Sequence, residues 1–347
     1  MTNEIHHLGP TPLTKMKIDI IRDMPLDYMH LICLGVMRKI LYKLIHGEKD
    51  KHRWSASITA FASEKLISLK HFIPAEFARK PRSLSQIKNF KATEYRQILL
   101  YTGIVVLDNI VSTPMYKAFT KLHCAIFILL GPTAHDPAWN DFAKRLLSEF
   151  VVKCSQIFGN QFLVYNVHNL IHIADDALKF GSLENCSAFD FENYNQFLKR
   201  MIRKNNQELV QVCKRISERD SSVTIRTRNE NGIIGDLRAD GAIRKYRYQG
   251  FVIGCNSGDN CFMTRSGSIV LIQKIIKAGP TVNLECNILD DKAKLDCYPC
   301  DSRKLGIYVT DINKTVSNTI QLSNLLTKCV LLPMEMRHIV IPFPSII

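Results

Sequence analysis

The sequence predicts an α+β protein, with helices over its first two-thirds and short strands over its last third. Between residues 31 and 204, apolar side chains recur at helical spacing, and Gly and Pro separate the periodic stretches. After Tyr248 the chain changes to short runs rich in β-branched and aromatic residues, divided by turn sequences such as Asn256-Ser257-Gly258-Asp259. We therefore expect a helical part followed by a small all-β, barrel-like module at residues 248–347.

Composition limits the classes of partner. The 347 residues suffice for two or three domains, and the net charge of +14 with a pI near 9.3 favours a polyanion. The first residues lack the basic and apolar regions of a signal peptide, and the longest apolar run, residues 124–130, is too short to span a bilayer. No amphipathic anchor or lipidation motif stands out. We expect DNA as the partner, a nuclear location, no membrane and no small-molecule substrate, with a homo-oligomer left open.

The first predicted helix begins near Asp27. Pro25 suits the first turn of a helix, and apolar residues from Leu31 to Leu44 follow at helical spacing until Gly47. Residues 15–21 could form a short strand before it. An acidic residue at a helix start is most simply an N-cap that the helix dipole favours, and this is the plain interpretation of Asp27.

Helical periodicity continues from residue 54 to residue 158. Glycines at 103, 131 and 159 separate the periodic segments, and Ser83 is a natural capping residue. The predicted helices cover residues 57–72, a segment capped at Ser83 with residues 92–100 behind it, residues 115–130 and residues 141–158.

Two motifs raise the question of zinc. Residues 164–177 predict a helix with His168 and His172 one turn apart, but no third ligand is evident, so a structural pair near the core is favoured. Cys297 and Cys300 have the spacing of half a zinc ribbon, without a second pair at a matching distance. The eleven cysteines are scattered and odd in number, which indicates buried, reduced thiols and not a disulfide framework.

The next helix begins near Glu192. One of its faces gathers apolar residues that we expect to be buried, namely Phe191, Tyr194, Leu198, Met201 and Ile202. Another face carries Glu192, Gln196, Lys199 and Arg203. The basic residues Lys199, Arg200, Arg203 and Lys204 either contact phosphates or form only a solvated face. Residues 206–247 are polar and basic and predict a helix end followed by a linker.

Several short segments, taken in order, are distinctive. They are PLDYMHLICLGV at 25–36, RKPRSL at 79–84 with KATEYR at 91–96, YNVHNLIH at 165–172 and SAFDFENY at 187–194. Together they resemble the CACTA (En/Spm)-type transposases, whose DxMH segment matches residues 27–30, and most of all the transposase-derived proteins of insect and other animal genomes. Residues 248–347 also look like the part that follows the transposase region in those animal proteins. The resemblance therefore covers nearly the whole chain.

This resemblance implies an RNase H-like, integrase-type core interrupted by a large all-α insertion. The truncated core would occupy residues 1–205, with the insertion at about 54–160. It also implies an Asp-Asp-Glu triad that holds two Mg²⁺ ions for phosphoryl transfer on DNA. Asp27 matches the family's second aspartate and Glu192 its glutamate, so both are candidate catalytic residues and metal ligands.

Two departures from the family pattern bear on activity. Only 26 residues precede Asp27, and Asp19 and Asp23 lie too near it to replace the family's first aspartate. Asp190 stands where the family has proline, but it can cap the helix. We therefore expect a remnant of a cut-and-paste transposase that is inactive as this chain, with Mg²⁺ as an ancestral cofactor. The alternatives are a first aspartate encoded upstream, a domesticated non-catalytic nucleic-acid- or chromatin-binding protein, and a decayed gene.

Overall fold

The computed structural model describes residues 12–16, 18–19, 22–48, 52–220, 231–237 and 242–344. These residues form a mixed α+β structure, in which helices occupy the part before residue 221 and strands the part after residue 231. The α+β class predicted from the sequence is therefore confirmed. Of the strand considered at residues 15–21, residues 17, 20 and 21 lie outside the described part, and Pro12–Lys15 forms a 3₁₀ turn.

The described helices follow one another with short connections and several 3₁₀ turns. In chain order they are a π-helix Met29–Met37 that continues as α1 Arg38–His46, α2 Ala56–Ser68, α3 Ala92–Gln97, a second π-helical segment Ile98–Thr102, α4 Gly103–Val106, α5 Thr113–Leu130, α6 Pro137–Phe158, α7 Tyr165–His168, α8 Ile173–Phe180, α9 Phe189–Met201 and α10 Glu208–Asp220. The single helix predicted over 164–177 is instead divided between α7 and α8 by the 3₁₀ turn Asn169–Ile171.

The described strands begin before the predicted β module. They are β1 Gly232–Leu237, β2 Ala242–Tyr248, β3 Phe251–Gly254, β4 Cys261–Thr264, β5 Ile269–Ala278, β6 Thr281–Leu289, β7 Tyr308–Thr310, β8 Thr315–Gln321, β9 Leu325–Met334 and β10 Arg337–Pro342. The linker predicted for residues 206–247 is corrected accordingly, because α10, β1 and most of β2 lie within it. Alternating Arg, Lys and Tyr side chains in β2 obscured the strand, since the charged residues dominate the composition there.

The described strands pair antiparallel in one branched sheet. Its main path runs β1-β2-β5-β4-β9-β10-β7, and β6 followed by β8 extends from the other edge of β5. β5 is long enough for β4 to pair with its first half and β2 with its second half, so the sheet divides at this strand. The ladders do not close on themselves among the described strands, so the barrel-like closure is not seen there.

The helical part and the sheet share one hydrophobic core. Val330 and Leu332 of β9 and Ile339 and Ile341 of β10 are buried in the same cluster as the helices. Leu331, between them, faces a separate cluster on the opposite side of the sheet, as the two-residue period of a strand requires. The sheet is therefore packed onto the helices through β9 and β10.

A buried ion cluster joins the two parts. Lys328 of β9 is 0% exposed, and its Nζ lies 2.8 Å from Glu76 Oε2 and 2.7 Å from Asp259 Oδ1. The same ammonium donates to the Val252 carbonyl at 2.6 Å. Asp259 Oδ1 also accepts from the backbone N–H of Ala75 at 2.9 Å, so the β3–β4 turn is bound directly to the segment after α2. Every member has polar partners, as a buried charge requires.

Candidate functional site

Asp27 lies where the starts of two helices meet. Its Oδ1 accepts hydrogen bonds of 2.9 Å from the backbone N–H of Met29 and of 2.9 Å from the backbone N–H of Ala188. Met29 opens the π-helix, and Ala188 directly precedes α9. Free N–H groups at helix starts favour a carboxylate both as acceptor and as charge. Asp27 thus has the capping role expected from its position, and it serves two helices.

The π-helix presents one polar residue to solvent. Its wide turns are closed by bonds such as the Arg38 N–H to the Cys33 carbonyl, and seven of its nine residues are buried. His30 is the exposed exception, with 54% of its side chain accessible. Gly35 allows a close approach on the other side, because a Cβ there would lie 2.6 Å from Asn166 Nδ2 of α7. The helix is therefore fixed on its buried faces and displays His30 beside Asp27.

His30 brings the two predicted acids together. Its Nδ1 pairs with Oδ2 of Asp27, and its Nε2 lies 3.8 Å from Oε1 of Glu192 on the first turn of α9. The two carboxylates therefore approach opposite nitrogens of a single imidazole. The structure therefore places His30 between the two acids.

Arg96 packs against residues that lie close to Asp27 and Glu192 in the chain. Its guanidinium pairs with Glu184 and lies 5.8 Å from the Tyr28 ring and 5.6 Å from the Phe189 ring. Tyr28 follows Asp27, and Phe189 opens α9. Arginine stacked on aromatic rings is a strong, directional contact. In the sequence, Arg96 is only one member of the segment at residues 91–96, and no pattern there predicts its role.

A groove adjoins the cluster on the side of α8. It has a volume of about 770 Å³ and contains Leu26, His172, Asp175 and Asp176 among its lining residues. Asp176 Oδ2 accepts from the backbone N–H of Leu26 at 2.9 Å, and burial raises the pKa of this carboxyl. Asp176 was not singled out from the sequence, where it is one of two adjacent acids in an ordinary helix start.

The predicted histidine pair has a different environment from the one expected. His168 and His172 are both exposed, and their ring centroids lie 6.0 Å apart. The expectation of a pair near the core is therefore wrong. Both rings lie on the exposed surface and contact each other edge to face across the 3₁₀ turn between α7 and α8.

The side chains around Asp27 do not have the arrangement of ligands that a two-metal centre needs. Oδ1 of Asp27 is occupied by two backbone N–H groups, and Oδ2 by His30. Among the described residues, no group of three or more His, Cys, Asp and Glu side chains is arranged to hold a metal ion. Two-metal chemistry needs converging carboxylates with free oxygens. The acid pair and His30 form a hydrogen-bonded cluster instead.

The predicted basic residues are all exposed, but they do not form one helical row. Lys199 and Arg200 lie on the last turn of α9, which ends at Met201. Arg203 and Lys204 follow in the loop to α10, where their backbone N–H groups donate to Oε1 of Gln211 at 2.9 and 3.2 Å. The predicted face of Glu192, Gln196, Lys199 and Arg203 is thus interrupted before its last member.

The apolar face predicted for α9 is largely uncovered. Phe191 is 73% exposed and Tyr194 54% exposed, and within the helix only Met201 is buried. Phe197, whose ring centroid lies 5.5 Å from that of Tyr194, contacts α10 through the Arg219 guanidinium, which is 4.7 Å from the Phe197 ring. The expectation that this face is buried is therefore wrong for Phe191 and Tyr194, whereas Met201 is buried and Leu198 and Ile202 are half-buried. The two exposed aromatic rings lie on the first two turns of α9, before its basic end.

Comparisons with known proteins bear on the sheet alone. A family model described as a domain of unknown function (DUF8592) matches residues 228–343, which span β1 to β10. Neither the curated proteins nor the solved structures include a match to this chain. Across the described residues, none of the helices combines the length and apolar character needed to cross a membrane.

Proposed function

We propose that this chain is a transposase-derived protein that binds DNA and retains the acid pair of a DDE site without a working two-metal centre. One observation carries the proposal: Asp27 and Glu192, distant in sequence, approach the two nitrogens of His30. Asp27 also caps the helix that bears Glu192. The resemblance to CACTA-type transposases predicts this convergence for its second and third acids, whereas two unrelated helix caps need not meet.

The contacts among the matching segments support the same proposal. Residues 25–36 contact residues 165–172 through Gly35 and Asn166, and the backbone N–H of Tyr28 donates to the Cys186 carbonyl at 2.9 Å. Residues 91–96 join them through Arg96. We infer that the helices at residues 25–36, 165–172 and 187–194 derive from an RNase H-like core and that α2 to α6, which include Arg96, are its helical insertion. The sheet of such a core is not among the elements described before residue 221.

The proposal that this chain does not cleave DNA follows from the carboxylates present at the site. In a DDE enzyme three carboxylates hold two divalent ions, which activate the nucleophile and stabilise the leaving oxygen. Here Asp27 and Glu192 offer two carboxylates, and the oxygens of Asp27 already accept hydrogen bonds from three partners. We therefore propose that Mg²⁺ belongs to the ancestry of the site and that no phosphoryl transfer passes through this cluster as described.

DNA contact is proposed for the outer surface of α9 and the loop after it. Lys199, Arg200, Arg203 and Lys204 are exposed there, and the chain carries a net charge of +14. Neutralising phosphates with such residues releases counterions, which supplies sequence-independent affinity. Exposed Phe191 and Tyr194 on the same helix offer ring faces on which bases can stack. A nuclear location follows from this proposal.

Photocrosslinking tests the proposal at residue level. Duplex DNA carrying photoreactive thymine analogues would be irradiated with the purified chain, and the crosslinked peptides identified by mass spectrometry. We expect peptides from residues 189–204 to dominate. Crosslinks confined to the sheet would instead favour the alternative of a nucleic-acid- or chromatin-binding protein that uses its β module, and the absence of crosslinks would contradict DNA binding altogether.

A further inference from the structure

Two cysteine thiols that are distant in sequence lie against each other between α5 and the loop before β7. Cys124 Sγ of α5 is 3.9 Å from Cys300 Sγ. Cys124 is buried, whereas Cys300 is partly exposed. Cys297, three residues before Cys300, is exposed. The pair of cysteines first noted for its zinc-ribbon spacing therefore has a third thiol, Cys124, at its inner end.

The loop that carries Cys300 is bound to α5 through residues just before each cysteine of the thiol pair. Thr120 Oγ1 donates to the Cys297 carbonyl at 3.3 Å, and His123 Nδ1 lies 2.8 Å from the Tyr298 hydroxyl. His123 Nε2 is in turn 3.1 Å from the Leu100 carbonyl. These contacts hold the loop against one turn of the helix, directly before Cys124. The approach of the two sulfur atoms is thus a fixed feature of the packing.

We propose that Cys300 and Cys124 form an oxidative modification site, at which a hydroperoxide converts the two thiols into a disulfide that links α5 to the sheet. The sulfur atoms must approach from 3.9 Å to about 2 Å, the length of a disulfide bond. The partly exposed loop side of the pair can supply that small movement. Cys300 is the residue that an oxidant can reach. Cys124 is positioned to attack the oxidised Cys300 sulfur and form the disulfide.

The chemistry divides between the two residues. The thiolate of Cys300 attacks one oxygen of the hydroperoxide, an S–O bond forms, and the O–O bond breaks, which leaves a sulfenic acid and releases water or an alcohol after protonation. The Cys124 sulfur then attacks the Cys300 sulfur, the S–S bond forms, and the hydroxyl leaves as water with the Cys124 proton. Overall, two thiols lose two electrons and two protons, and the peroxide gains them.

The hydrogen bond between the thiols supports this order of events. The Cys124 thiol holds the pKa of Cys300 below its ordinary value, and the same hydrogen bond together with burial raises the pKa of Cys124. Thiolates are the nucleophiles in thiol oxidation, so Cys300 reacts first. The other buried cysteine on the neighbouring helix, Cys154, has its pKa raised by burial alone and serves as a comparison.

The test is a disulfide map of the whole chain after oxidation. Wild-type protein is treated with hydrogen peroxide at equimolar and tenfold concentration, free thiols are blocked, and peptides are mapped without reduction. We expect a loss of about 2 Da in intact mass and a linked peptide joining residues 124 and 300. Cys213→Ser, which removes an exposed thiol on α10, should leave this peptide unchanged, whereas Cys300→Ser and Cys124→Ala should abolish it.

A structural consequence provides the second readout. The disulfide would close a loop of 176 residues between the helical part and the sheet, so oxidation should raise the urea midpoint of the wild-type chain and of Cys213→Ser. Cys300→Ser should show no such rise. Two results for the wild-type chain would overturn the proposal: a disulfide between Cys297 and Cys300, or no disulfide at tenfold peroxide. Both can be read even if Cys124→Ala does not fold. Linkage only after denaturation would overturn it equally.

Discussion

The carboxylate of Asp27 accepts a hydrogen bond of 2.9 Å from the backbone N–H of Ala188, and this contact ties the first long helix of the chain to the helix that bears Glu192. The same oxygen accepts from Met29 at the start of the π-helix. One acidic side chain therefore satisfies two helix starts that are distant in sequence. The position of the Asp27 carboxylate is therefore fixed by this double cap.

Removing the double cap should destabilise the fold. Asp27→Ala leaves two partly buried N–H groups without an acceptor, so we expect the free energy of unfolding to fall by about 1–3 kcal/mol. Asp27→Asn keeps a side-chain oxygen and should cost less. Urea denaturation followed by circular dichroism provides the measurement.

Glu192→Ala is the matched control for this prediction. Its side chain is exposed and only approaches His30, so we expect a change of less than about 1 kcal/mol. Equal losses for Asp27→Ala and Glu192→Ala would mean that the two acids act as one stabilising unit and would contradict the capping account.

The buried ammonium of Lys328 should be essential to the joint between helices and sheet. Lys328→Met would remove the buried ammonium that pairs with both Glu76 and Asp259, and breaking a buried pair typically costs about 3–5 kcal/mol. Lys245→Met removes a more exposed lysine that lies 3.5 Å from Asp259, and it should cost less than about 1 kcal/mol. Urea denaturation provides the free energy of unfolding of each variant. Similar losses for the two variants would show that the Lys328 ammonium is accessible to water.

Stability should depend on pH through His123. Burial lowers the pKa of this histidine to about 4 in the folded chain, whereas an unfolded histidine titrates near pH 6.5. Its contribution is therefore complete above about pH 6.5 and is lost progressively as the pH falls towards 4, because the unfolded chain takes up a proton that the native state excludes.

Urea unfolding of wild-type chain and His123→Gln between pH 4.5 and 7.5 checks this sign. The free energy of unfolding of the wild-type chain should fall with decreasing pH more steeply than that of the variant, by at most about 1.4 kcal/mol per pH unit. Parallel curves for the two proteins would show that His123 is protonated in the native state or accessible to water.

Local features of the site could be predicted from the sequence, but their surroundings could not. The positions of Asp27 and Glu192 at helix starts follow from proline, capping residues and periodicity, which are local. Their convergence was expected only from the family resemblance, because no local pattern records which helices meet. The periodicity of α9 identified an apolar face with Phe191 and Tyr194, but it could not tell whether another segment covers that face.

Long-range polar contacts were the other feature that escaped sequence reasoning. Lys328 stands at the start of an apolar run within the predicted β module. A charged residue at the start of that run was the one sequence signal of a buried ion pair. Its partners Glu76 and Asp259 lie in two irregular segments far apart in the chain, and no spacing rule connects them. Arg96 was missed for the same reason, since its aromatic partners come from two other helices.

The chain should not cleave DNA. With Mg²⁺ or Mn²⁺ and supercoiled plasmid or candidate transposon ends, we expect no nicked, linear or joined product, because the described carboxylates do not provide the ligands of two metal ions. Gel electrophoresis over several hours provides the measurement. Metal-dependent nicking that disappears in both Asp27→Asn and Glu192→Gln would contradict this prediction and would restore the acid pair to a catalytic role.

The most direct test of the central claim is the salt dependence of DNA binding, measured by fluorescence anisotropy with a labelled duplex. We expect tight binding at low salt that weakens steeply as salt rises, with little preference for sequence. Lys199→Glu with Arg200→Glu should weaken binding and reduce the slope of log affinity against log salt by about 2, since each lost phosphate contact removes about one unit. Lys70→Glu with Lys88→Glu, an equal change of charge at exposed lysines elsewhere, should leave the slope nearly unchanged. Binding that is absent at low salt, indifferent to salt, or weakened equally by the two variant pairs would contradict the proposal that this protein holds DNA on the helix that bears Glu192.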